Sequence, residues 1–265
     1  MRKTVADFLK TALVPVGRTL YIYGGGWNRE DTGAGREART LGASPEWTAF
    51  FDRQDAFYSY KGEDAARGGR SYYPHDGVNV YCHEGLDCSG YLGWAVYNTL
   101  ETENGRPGYV TKASGFAAML AERGYGTLRK DAGPGTGYRV KPGDIVSISG
   151  HVWISLGTCA DGSAVILHST PSESRAGQPG GGVQIGAVGD SEACEAYRVA
   201  DLYMSRFCPE WYRRYPVALK PEEVYFSFPG DETGCFTFDG HVLADPDGIR
   251  GMKPAELLKV QPPAD

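Results

Sequence analysis

Apolar residues at Val5, Phe8, Leu9, Ala12 and Leu13 recur at helical spacing, so the chain opens on a predicted amphipathic helix. A short strand-like run, "RTLYIYGGGW", follows and ends in three glycines. Residues 28–84 break the pattern. They are polar and aromatic, carry Trp47, Phe50, Phe51, Phe57, Tyr58, Tyr60, Tyr72 and Tyr73, and hold one predicted helix, capped at Ser44, in "SPEWTAFFDRQDAFYSY". This stretch reads as an insertion packed near a cleft. From Asp87 the period turns helical again, with Leu92, Ala95, Val96 and Leu100 on one face and Asp87 as N-cap.

Another helix is predicted in "SGFAAMLAERG", and three strand-like runs come next: "GDIVSISGHVWISLG", "GSAVILHSTP" and "GGGVQIGAV". Their turn-rich spacing predicts an antiparallel meander. Beyond residue 188 the pattern predicts a long helix over 192–207 ended by Pro209, hairpin strands in "EVYFSFPG" and "GCFTFDGHVL", and a tail of turn and short helix. A helix, a cysteine-bearing helix and then strands describe an α+β chain. Residues 1–265 are expected to form a single catalytic domain, with 189–265 as an extension packed on it.

Composition narrows the function classes. A formal charge of −6 without clustered Lys and Arg argues against nucleic acid as a partner. No apolar run reaches membrane length. Asp7 and Lys10 interrupt the stretch where a secretory signal would need an apolar core. The protein is therefore expected to remain inside the cell or to be exported with its signal removed, and to be a monomer. Six cysteines in 265 residues are too few to require a disulfide framework, and Cys82 to Cys88 matches no zinc spacing. Cys194 and Cys208 lie about 21 Å apart along one helix, too far to bridge.

The candidate chemistry starts at Cys88. A thiol at a helix N-terminus faces the positive end of the macrodipole and unpaired backbone N–H groups, which favour a thiolate and a developing oxyanion. On that ground Cys88 is expected to titrate below the usual value of about 8.5 and to alkylate first. His151 begins one strand run and His168 ends the next, so adjacent strands of a meander bring a base and its orienting partner together. His75, His83 and His241 read as structural, and Cys82 and His83 as lining the cleft or marking a turn.

Taken in order, "YIYGG", "LDCSGY", "KPGDIV…HVWISLG", "VILHS" and "GGGVQI" resemble the NlpC-type family of cell-wall cysteine peptidases, within the papain-like superfamily. The resemblance covers the first 26 residues and roughly 85–188. It implies a papain-like NlpC-type fold, with an antiparallel sheet packed on the N-terminal helix and the cysteine helix. It implies Cys88 as nucleophile, His151 as general base and His168 as orienting residue. Tyr21 is implied as a hydrogen-bond donor beside the cysteine, with Asp87 and Ser89 flanking the substrate side. The implied reaction is hydrolysis of the γ-D-glutamyl to diaminopimelate bond of peptidoglycan stem peptides or muropeptides, with neither metal nor organic cofactor.

The chain departs from the family pattern in the length of 28–84, in Trp153, where a smaller residue is common, and in everything after Val188. An amidase or acyltransferase using the same three residues, and a non-catalytic wall-binding module, are the alternatives.

Overall fold

The computed structural model describes residues 2–25, 40–53, 83–177 and 179–260. Helix α1, Val5–Leu13, begins at a reciprocal cap: the Thr4 hydroxyl accepts from the Asp7 N–H while the Asp7 carboxylate accepts from the Thr4 N–H. It buries Val5, Phe8, Leu9, Ala12 and Leu13, the face that the period marks. Helix α2, Pro45–Arg53, buries Trp47, Phe50 and Phe51. Helix α3, Cys88–Leu100, is apolar on nearly every side and runs through the core. Helix α4 spans Phe116–Glu122.

The strands are β1 Gly126–Arg129, β2 Ile145–Ile148, β3 His151–Thr158, β4 Ala164–Glu173 and β5 Pro179–Val188. Helices α5, Glu195–Phe207, and α6, Pro209–Arg214, follow. Then come β6, Leu219–Lys220, α7, Glu222–Tyr225, β7, Gly234–Phe238, and α8, Pro254–Val260. One seven-stranded sheet has the order β1-β7-β2-β3-β4-β5-β6. The architecture is mixed α and β.

Within the sheet, β2 to β5 form the predicted antiparallel meander. Its first run, "GDIVSISGHVWISLG", is two strands: Ile148 pairs His151 across a turn in which Gly150 takes φ 73°. The sheet is not wholly antiparallel, because the edge strand β6 runs parallel to β5. The expected strand at "RTLYIYGG" is reduced to one bridge, Leu20 with Gly182.

The C-terminal hairpin does not form either. The first three residues of "EVYF" belong to the single turn of α7, with Phe226 as its C-cap, and β7 inserts between β1 and β2, pairing Phe236 with Ile145 and with Leu128. Its two free edges are thereby satisfied by strands far away in sequence. The predicted 192–207 helix begins at Glu195, where the Cys194 sulfur accepts from the Tyr197 N–H.

Both faces of the sheet are covered, which is why the strands read as almost continuous apolar runs. Val152, Ile154, Leu156, Val165 and Leu167 join α1, α3 and α4 in the larger core. Trp153, Ile166, Val146 and Ile148 form a second core with Tyr225 on the other face. Among the described residues no helix is long and apolar enough to cross a membrane.

Of the 28–84 stretch, α2 is described. Trp47 meets Trp94 of α3 edge-on at 5.4 Å, and Phe51 stacks on Trp211 at 5.7 Å. Phe57, Tyr58, Tyr60, Tyr72, Tyr73, His75 and Cys82 lie outside the described residues.

Candidate active site

The start of α3 is fixed by Asp87. Its Oδ1 accepts from the Gly90 N–H at 2.7 Å and from the Ser89 hydroxyl at 3.1 Å, and its Oδ2 accepts from the Gly24 N–H at 3.0 Å. One carboxylate thus caps the helix and ties it to the turn at residues 22–25. Gly90 is required by that contact: a Cβ there would lie 2.1 Å from the Gly25 carbonyl oxygen. Leu86 completes the join, its N–H donating to the Leu20 carbonyl at 3.1 Å.

Cys88 sits in the first turn of α3, 7 % exposed. Its sulfur accepts from the backbone N–H of Val152, the residue after His151, which places the thiol against the head of β3. Ser169 secures the neighbouring strand, donating its hydroxyl to the Leu86 carbonyl at 2.6 Å. Nε2 of His151 and Nδ1 of His168 lie 3.1 Å apart, and the rings meet edge to face with centroids 5.3 Å apart. His168 is fully buried, whereas His151 keeps a partly exposed edge. The two histidines expected from the meander are therefore bonded directly.

Of the remaining predicted residues, Asp87 and Ser89 have polar atoms engaged in the helix cap. Tyr21 is buried beside that join, its N–H donating to the Gly181 carbonyl at 2.9 Å. His83 lies 3.6 Å from Glu46 and 3.9 Å from Glu84, and His241 is an exposed neighbour of Asp239.

Burial governs the electrostatics. It pushes the Cys88 thiol up to about 12, with the adjacent Asp87 carboxylate acting in the same direction. This corrects the expectation of an acidic thiol, since the helix terminus does not outweigh desolvation. Burial also holds His151 down at about 3 and His168 well below its ordinary value. His151 lowers His168 further, and the Lys220 ammonium lowers both. At rest the thiol and both imidazoles are neutral.

Two contributors escape sequence reasoning. Tyr225 of α7 places its ring 5.5 Å from His151 and 6.3 Å from His168, and lies nearly parallel to Trp153 at 6.2 Å. Its hydroxyl is bonded to Thr170. Lys220 of β6 supplies the nearby cation. The only sequence signal for either was Trp153, whose bulk demands a partner on the outer face.

Cys159, Asp161 and Glu195 bring ligand-type atoms within 4.8 Å of one another, away from this site. Their carboxylates are already engaged at the start of α5: Asp161 accepts from the Ser163 hydroxyl and the Glu195 N–H, and Glu195 accepts from the Ala160 N–H. Cys88, Cys159, Cys194, Cys208 and Cys235 are all buried free thiols. No protein-family model matches the chain, and no curated protein or solved structure matches it.

Proposed function

We propose that this chain is a cysteine peptidase of the NlpC type, hydrolysing peptidoglycan stem peptides at the bond between γ-D-glutamate and a diamino acid. The observation that carries the reading is the 3.1 Å contact between His151 Nε2 and His168 Nδ1 on strands next to the Cys88 helix. When Nε2–H of His151 donates to Nδ1 of His168, the lone pair of His151 stays on Nδ1. That nitrogen then serves as the base for the thiol, and His168 fixes its tautomer.

In the first step the Cys88 sulfur attacks the scissile carbonyl carbon and its proton passes to His151 Nδ1. Because the thiol and imidazole are both neutral at rest, proton transfer accompanies attack instead of preceding it. The tetrahedral oxyanion is met by backbone N–H groups at the start of α3, which have no partner inside the helix. His151 returns the proton to the leaving amine as the C–N bond breaks, leaving a thioester on Cys88. Water, deprotonated by His151, attacks that thioester, and the thiol is regenerated. Asp87 holds the helix end in place, and the wall-peptide specificity follows from the resemblance in "LDCSGY" and "HVWISLG".

The test is incubation with defined soluble muropeptides followed by chromatography and mass spectrometry. Release of L-Ala-γ-D-Glu, abolished in Cys88→Ala, is the expected result. Cleavage between sugar and L-Ala would move the assignment to an amidase, and transfer of the acyl group to an added amine in preference to water would make it an acyltransferase. Turnover that survives in Cys88→Ala would refute the nucleophile.

A further inference from the structure

We propose that Tyr225 is a positioning residue of the Cys88–His151–His168 site: its ring covers both imidazoles, and its hydroxyl, tied to Thr170, holds that cover until an acyl substrate displaces it. The inference rests on the reading of Cys88 as nucleophile and His151 as its base. Tyr225 belongs to the segment after Val188, which that resemblance does not reach.

Helix α7 is one turn long, and Tyr225 is its buried residue; Glu223 and Val224 are exposed, the latter by 49 %. A single turn has little stability of its own, so the inserted ring, with Phe226 and Phe228 packed on the same core, is what seats it. Trp153 supports the ring from the sheet, and Phe226 meets Trp153 edge-on at 5.6 Å. The outer face of the site is thus closed by a plug on a weakly held element, the kind of segment that opens without global unfolding. With Cys88 7 % exposed and His168 fully buried, a peptide amide reaches the sulfur only after some cover moves. Among the described residues, Tyr225 is a side chain whose ring lies 5.5 Å from one histidine ring and 6.3 Å from the other, centroid to centroid.

Several charged or titratable groups face this cover. Cys88 of α3 acts on Tyr225 itself, and His151 of β3 and His168 of β4 lie beside its ring; one step further out, Asp87, the N-cap of α3, acts on Cys88, and Lys220 of β6 acts on both imidazoles. Burial is the largest influence on both the thiol and the imidazoles. Lifting the ring admits water, which favours the charged forms of both and so eases proton transfer from sulfur to His151.

The experiment is the rate of Cys88 alkylation by iodoacetamide in the full chain between pH 6 and 12, a range that reaches the wild-type thiol's midpoint of about 12, followed by peptide mass spectrometry. Near-UV circular dichroism serves as the check on folding. Tyr225→Ala should react about tenfold faster or more at pH 7.5, with its half-maximal pH shifted down. Tyr225→Phe keeps the ring and loses the tie to Thr170, so its rate should rise severalfold with the midpoint unmoved. A folded Tyr225→Ala protein with wild-type rate and midpoint would overturn the proposal. Should that variant not fold, an unchanged rate in Tyr225→Phe overturns it equally. The double variant Tyr225→Ala, His151→Ala separates the two readings. Return of the midpoint to higher pH supports both, while a profile identical to Tyr225→Ala leaves the cover standing and removes His151 as base.

Discussion

The bonded histidine pair makes the fold sensitive to acid in a way that one substitution isolates. An unfolded histidine titrates near 6.5, whereas folded His151 does so at about 3. Below pH 6.5 the unfolded chain takes up a proton that the folded chain refuses, so stability falls with pH and keeps falling until about pH 3. Between pH 7.5 and pH 5.0 the loss is about 1.5 units at 1.36 kcal/mol each, roughly 2 kcal/mol; solvent at the exposed edge of His151 reduces it toward about 1 kcal/mol. His168, also lowered, acts in the same sense. Asp87 and Asp144 act oppositely, because burial raises both carboxyls and acid therefore favours their folded forms. The total pH curve mixes these effects, but a difference does not. Urea unfolding of wild type and His151→Gln at pH 7.5 and 5.0 should show wild type losing about 1–2 kcal/mol more than the variant. Equal losses in the two proteins would mean that His151 is not held neutral in the fold.

Two further substitutions test the helix start. Asp87→Ala leaves the Gly90 and Gly24 N–H groups without their acceptor and should lower unfolding stability by about 2 kcal/mol, while Asp87→Asn, which keeps one acceptor oxygen, should lose less than half of that in the same urea titration. Both variants should shift the alkylation midpoint of Cys88 downward, because the negative charge that opposes the thiolate is gone. Gly90→Ala drives a methyl group into the Gly25 carbonyl and should cost about 1–3 kcal/mol, read as a lower urea midpoint at unchanged slope; wild-type stability would mean that the 22–25 turn yields freely.

What was legible in the sequence was local. The face of α1 follows from spacing alone, and the start of α3 follows from an aspartate ahead of an apolar period. The two histidines were placed together by the shortness of the connections in the meander. What was hidden depends on contacts between distant segments. "EVYF" is one glutamate followed by three strand-favouring residues, a run too short for its period to separate a strand from one helical turn, and Pro221 ahead of two acidic residues was the signal for the turn. The "GCFTF" strand was visible as a strand, but nothing local announces that it inserts between β1 and β2. For the same reason Tyr225 and Lys220 were missed at the site.

The misjudged thiol shows why the magnitude of an effect matters as much as its direction. A helix N-terminus favours a negative charge by about 0.3–1 kcal/mol, up to about 2 kcal/mol where partly buried. A rise of the Cys88 thiol from 9.0 to about 12 corresponds to about 4 kcal/mol against the thiolate, so burial wins. The sequence displays the helix terminus and conceals the burial, so reasoning from residues alone sees the smaller effect. It follows that the reactivity of Cys88 is set less by α3 than by what lies over it. Under the proposed peptidase reading, a site closed in this way becomes reactive when the covering side chains are exchanged for a bound acyl group, whose carbonyl brings charge toward the N–H groups at the start of α3. On that reading the resting thiol is protected from adventitious alkylation and oxidation by the same burial that a substrate would have to relieve.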